Sequence, residues 1–186
     1  MKISRKKALK SIALGFVAAP VVANQKIDKD LVSFKDEFEP AWKSSEEYTL
    51  KVYNQMPEDK MDWKYTPESF SWRTQFVHCI DFTASQICGR LGIKNPYDEK
   101  AKQKDFWKKL SKAELGEELK GFYAWVLQVV SETKPEQLAQ LEGYAGDKIP
   151  VWRLLYALEN HIIHHRGQAI CYLRLNGITP VGYIGW

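Results

Sequence analysis

Leu154, Leu158, His161, His165, Gln168, Tyr172 and Leu175 follow one another at spacings of four, three, four, three, four and three. That rhythm is the seam of a helix packed against partner helices, and it constrains the fold more than any other stretch of the chain. It also holds a contradiction. His161, His165 and Gln168 place a polar block one to two turns long on a face meant for a bundle interior. Buried polar groups are costly unless partnered, so something must satisfy these three.

Other segments supply partner helices. A first helix is expected from about Glu37 to Gln55, with Trp42, Tyr48, Thr49, Val52 and Tyr53 on an irregular apolar face and Met56-Pro57 as its stop. Val77, Ile80, Ala84, Ile87 and Leu91 mark a second from Trp72 to about Leu91, closed by Gly92. Ser111-Lys112-Ala113-Glu114 is a capping-box pattern opening a third, which runs to about Glu132 before Pro135. The seam helix should start near Pro150 and stop at Asn176-Gly177, with Gly143, Gly146 and Asp147 in the loop before it. No run of alternating β-branched residues occurs, so the fold class is all-α, a four-helix bundle with long connectors. The tail ITPVGYIGW should pack back across the bundle.

The 186 residues suit one such domain. The first 23 stand apart: Lys2, Arg5, Lys6, Lys7 and Lys10 with no acid, then the apolar SIALGFVAAPVVA. This reads as a signal peptide cut after Ala23, by a Sec or twin-arginine-like route, and as too short for stable membrane insertion. An exported protein, periplasmic or extracellular, is expected. Residues 24–35, NQKIDKDLVSFK, read as a polar arm, and 36–186 as the bundle. The whole chain has 27 basic and 23 acidic residues; without the five bases of the leader the balance is 22 to 23. Duplex binding needs a positive footprint, so nucleic acid is not an expected partner. Cys79, Cys88 and Cys171 are odd in number with no CxxC pair, and read as small buried core residues; one disulfide in an oxidising compartment stays open.

Histidines at i and i+4 lie about 40° apart around a helix and one turn apart along it, so His161 and His165 can converge on one ion. His164 lies on the flank of the same face and ranks below His165. The fourth histidine, His78, sits beside the interior stripe of the second helix and is the third candidate ligand. Three neutral imidazoles without a cysteinate suit zinc, nickel or a similar divalent ion and leave coordination positions for water or a small-molecule substrate. Hydrogen-bonded bundle histidines are the alternative. Glu47, Asp81 and Glu159 are weak candidates for proton carriers; Asp81 and Glu159 could instead orient a ligand histidine, and each could be a solvated surface acid. Trp63, Tyr65, Phe70 and Trp72 line a pocket or fill the core.

Over nearly the whole of 24–186 the sequence resembles the DinB/YfiT-like superfamily of metal-binding four-helix bundles. The resemblance is carried by Glu47-Tyr48-Thr49-Leu50 with MPEDKMDWKYTPESFSW, by SWRTQFVHCI, and above all by ENHIIHHRGQAICYLRLNGITP. It implies a divalent metal on His78, His161 and His165. It further implies a metal-dependent enzyme, either a thiol-dependent S-transferase or a hydrolase, and a homodimer. A non-catalytic exported bundle that binds metal or ligand is the alternative.

Overall fold

The computed structural model describes residues 19–103 and 105–185. Four long helices carry it: α1 (Ala19–Gln55), α2 (Trp72–Leu91), α5 (Lys112–Glu132) and α7 (Val151–Leu175). Between them lie three short helices, α3 (Asp98–Lys102), α4 (Phe106–Lys109) and α6 (Pro135–Ala139), and a hairpin of β1 (Leu141–Tyr144) and β2 (Asp147–Pro150).

The ends of the long helices have local causes. The Ser71 side chain accepts from the Thr74 amide at the start of α2, and Gly92 closes it with φ 65, a left-handed conformation that a residue without Cβ adopts freely. Ser111 and Glu114 form a reciprocal capping box at the start of α5. Pro150 is the N-cap of α7 rather than its first helical residue.

The first helix begins at Ala19, well before the expected Glu37, so residues 24–35 are helical rather than an arm. Leu31, Phe34, Phe38 and Trp42 recur at helical spacing and are all buried, and that stripe continues the bundle face upstream. Of the expected leader, residues 1–18 lie outside the described residues, and the expected cut after Ala23 falls within α1.

Each of α1 and α2 packs against both α5 and α7. The first two long helices are therefore diagonal partners in the bundle, and so are the last two. A chain that crosses a bundle diagonally needs longer links than one that turns to its neighbour, which accounts for the connectors 56–71 and 133–150; the one between them, 92–111, joins the neighbours α2 and α5 and carries α3 and α4. Arg73, at the start of α2, ties two of these links together: its Nε donates to Asp62 Oδ1 at 2.9 Å and its Nη1 to the Leu110 carbonyl at 2.6 Å.

The third link corrects the expectation of a plain loop. β1 and β2 pair antiparallel, Leu141 with Pro150 and Tyr144 with Asp147, leaving Ala145 and Gly146 as a two-residue turn with φ 51 and 92. Positive φ at both central residues is the signature of the type I′ turn that matches strand twist.

The core is aromatic. Trp42, Trp72, Tyr53, Tyr123, Phe38, Phe76 and Phe122 are fully buried, and Trp42 Nε1 donates to the Tyr123 carbonyl at 3.0 Å. Burying such a side chain contributes about 1.5–3 kcal/mol. The tail returns as expected: Gln55 Nε2 donates to Thr179 O, the Val181 amide donates to Gln55 Oε1, and the Tyr48 and Tyr183 rings meet edge-on. Leu175 breaks the predicted seam, standing 62% exposed at the end of α7. All three cysteines are free, and Cys171 is exposed rather than buried.

Candidate metal centre

Packing of α2 against α7 brings His78 across from His161 and His165. Their ring centroids lie 5.1 Å (His78–His161), 4.8 Å (His78–His165) and 4.5 Å (His161–His165) apart. One nitrogen from each of the three lies within 4.8 Å of the other two. His161 Nε2 and His165 Nε2 are 3.1 Å apart. Nitrogens bound tetrahedrally at 2.0–2.1 Å to one ion would stand about 3.3 Å apart, so this pair already has nearly the separation of two ligands.

His165 is the most constrained member. Its Nδ1 faces Gln75 Oε1 at 2.5 Å, and an amide oxygen can only accept, so Nδ1 carries the proton and Nε2 keeps its lone pair toward His161 and His78. Gln75, itself buried on α2, gives its Nε2 hydrogens to Gln168 Oε1 at 2.9 Å and the Tyr172 hydroxyl at 3.2 Å. Tyr172 passes its own proton to the Phe70 carbonyl. Within the polar block of the seam, His165 and Gln168 are thus satisfied by an amide relay, and Gln168 ends that relay on His164 at 2.6 Å. His164 is exposed and stands outside the three-histidine group. His161 Nδ1 is buried with no partner among the described residues.

Burial pushes all three imidazoles below the ordinary histidine value. For His165 the charges of His161, His78 and His164 add to it and carry the pKa down to about 3. His161 is lowered by burial and then by His78 and His164, and His78 by burial alone. The three are therefore neutral near pH 7, the form that binds metal. Two phenylalanines flank them. Phe70 stacks on His165 at 6.1 Å and meets His78 at 5.3 Å, and Phe82 lies 4.4 Å from His161.

None of the three candidate carboxylates reaches this centre. Glu47 is exposed on α1 and paired with Lys51 at 2.5 Å. Asp81 is half-buried beside Trp107 and Asp98. Desolvation raises its pKa to about 6 against the pull of the Trp107 indole, although neither Asp81 Oδ1 nor Trp107 Nε1 closes a hydrogen bond. Glu159 is buried, not a surface acid. Desolvation raises its pKa, opposed by Arg166 and Ser45, and its Oε1 has no partner among the described residues.

Sequence reasoning missed two residues. Gln75 lies three positions before His78, and its role exists only once α2 docks on α7. Arg166 directly follows His165 and is buried. Its Nη1 donates to Ser45 O and Oγ, each at 3.2 Å, and to Thr49 Oγ1 at 3.0 Å, and its guanidinium sits 4.5 Å from the Tyr48 ring centre. It fastens α7 to α1 beside the centre. A buried position for the arginine of HHRGQ, next to the seam, was the available signal.

Comparison with known proteins agrees with this architecture. The family model of the DinB superfamily matches residues 41–169. A DinB-like protein from Bacillus cereus superposes with a TM-score of 0.65 at 20% identity, over 80% of this chain and 96% of its own. A DinB-like protein from Bacillus subtilis, YjoA, gives 0.60 at 19%, over 76% and 93%. YfiT from Bacillus subtilis, described as a probable metal-dependent hydrolase with an unusual four-helix bundle topology, gives 0.61 at 17%, over 78% and 89%. No curated protein matches. With the family model spanning both histidine-bearing helices and structures of the same fold beside it, the chain belongs to the DinB superfamily.

Proposed function

We propose that the protein is a metal-dependent enzyme that holds a divalent ion, zinc or nickel, on His78, His161 and His165. The observation that carries this reading is the 3.1 Å separation of His161 Nε2 and His165 Nε2, between neutral rings, with a third imidazole nitrogen within 4.8 Å of both. Two lone pairs at that distance repel unless a proton or a cation lies between them; a neutral His161 can supply the proton from its own Nε2–H, but only a cation draws on the third imidazole as well. When bound, the ion supplies Lewis-acid character and draws the pKa of a coordinated nucleophile toward neutrality. The protein's own part is to hold the rings: Gln75 fixes the His165 tautomer, and Phe70 and Phe82 shield the flanks. Three protein ligands leave a position for a small-molecule substrate, and hydrolysis or S-transfer are the reactions to try first. The description of YfiT supports the hydrolase side of that choice.

A non-catalytic metal-binding role is the second reading, favoured by one observation: Glu47, Asp81 and Glu159 all point their chemistry elsewhere. Export remains part of the proposal on the strength of the basic and then apolar first 23 residues. None of the described helices is long and apolar enough to cross a membrane.

The test is metal content and melting temperature for alanine substitutions at His78, His161, His164 and His165 after identical loading with zinc or nickel. Three variants should lose the ion and its stabilisation, worth about 2.7 kcal/mol at a hundredfold excess over Kd. His164→Ala should keep both. A full site in His165→Ala with an empty one in His164→Ala would overturn the ligand set. A loaded wild type with no rate above the free metal salt on ester and thiol substrates would favour the second reading.

A further inference from the structure

His78, Phe82, Gln86 and Arg90 recur at every fourth residue of α2 and so line one side of the helix. At 1.5 Å per residue the ladder spans about 18 Å. Its lower end is the histidine centre. Its upper end is a cavity of about 640 Å³ between α2 and the hairpin, walled by Phe82, Gln86 and Arg90 on one side and by Tyr144, Asp147 and Lys148 on the other. Phe82 belongs to both places: it lines the cavity, and its ring lies 4.4 Å from His161 and 5.5 Å from His78.

The charges of the cavity are uneven. Arg90 and Lys148 face a single acid, Asp147, and neither cation has an ion-pair partner among the described residues. Arg90 Nη2 donates to the Gly143 carbonyl at 2.7 Å, which fixes the guanidinium against the hairpin and commits one of its five N–H donors. A side chain held in this way gives up little further entropy when it takes a ligand. The surplus of one positive charge fits a monoanion better than a phosphate, which carries about −1.5 to −2 near pH 7.

We propose that this cavity takes the carboxylate end of the substrate, held by Arg90 and Lys148, while the apolar middle lies along Phe82 and the reacting group reaches the histidine centre. The substrate class is then an elongated monocarboxylate, amphipathic, with its reactive group far from the acid. The inference rests on the metal reading above.

Zinc-loaded full-length protein would be titrated by calorimetry with paired hydroxamates of equal chain length, one ending in a carboxylate and the other in its methyl ester, over a series of lengths. At one length the carboxylate should bind at least about tenfold tighter at low salt. Arg90→Gln and Lys148→Gln should each remove most of that advantage and leave the methyl ester unchanged. Lys148→Gln is the cleaner arm, because Arg90 also pins the hairpin. Equal affinity for the two probes at every length would overturn the proposal and leave the histidine centre standing, as would an advantage that survives both substitutions. Binding of neither probe would also overturn the proposal, while the zinc content of the same samples decides the metal reading separately.

Discussion

Gln75 Oε1 accepts the Nδ1 proton of His165 at 2.5 Å, and this one contact decides which nitrogen of His165 is free to bind. In Gln75→Leu nothing holds the proton on Nδ1, and a buried donor is left unpaired. Zinc affinity should fall about 10–100-fold, read by competition with a chromophoric chelator, while Gln75→Glu, which still accepts, should keep most of it. Unchanged affinity in the leucine variant would show that the relay does not position His165.

Arg166 and Glu159 are the buried charges of α7, and each moderates the other's cost. Removing the guanidinium takes away the donor that Ser45 and Thr49 share, leaving Thr49 only the Tyr123 hydroxyl, and strips the Glu159 carboxylate of the cation that opposes its desolvation. Arg166→Met should therefore cost on the order of 3 kcal/mol of stability in denaturant unfolding. Adding Glu159→Gln should return part of it, because the uncompensated charge goes too. A double variant no more stable than the single one would mean the two charges do not interact.

How far the sequence reveals this molecule depends on the range of the interaction. Ser71 with Gly92, the Ser111–Glu114 box and Asn176-Gly177 are local signals, and the helix ends they predict stand where expected. His78, His161 and His165 were legible because helical spacing alone places two of them on one face and leaves a single other histidine. The start of α1 was obscured because Leu31, Phe34 and Phe38 are diluted by Lys29, Asp30, Lys35, Asp36 and Glu37, so composition masked the periodicity. The hairpin strands of four residues are too short to show alternation, and Ala145 is an unusual residue for its positive φ. The burial of Glu159 and the role of Gln75 depend on which helix lies opposite, and no single-helix pattern contains that information.

Asp81 offers a separable test of electrostatics, since it lies beside Trp107 rather than at the histidines. Its folded-state pKa is raised from 3.8 to about 6 by desolvation, so the folded protein binds the proton more tightly than the unfolded chain does. Stability from this group is therefore fully present below pH 3.8 and is lost as pH rises through 6. The buried histidines act in the opposite sense. Their lowered pKa values mean that the metal-free fold loses stability as pH falls below the ordinary histidine value of 6.5, a loss that for His165 continues toward pH 3. Asp81→Asn removes the first contribution and leaves the second. The variant should be more stable than the wild type above pH 7 by about 1 kcal/mol, allowing for the water that still reaches a half-buried carboxyl. The gain should shrink as pH falls from 7 to 4, and zinc content should be unchanged throughout. Thermal unfolding of both metal-free proteins across that range is the measurement; a difference independent of pH would mean that the Asp81 carboxyl is not perturbed, and a loss of zinc would return it to the metal centre.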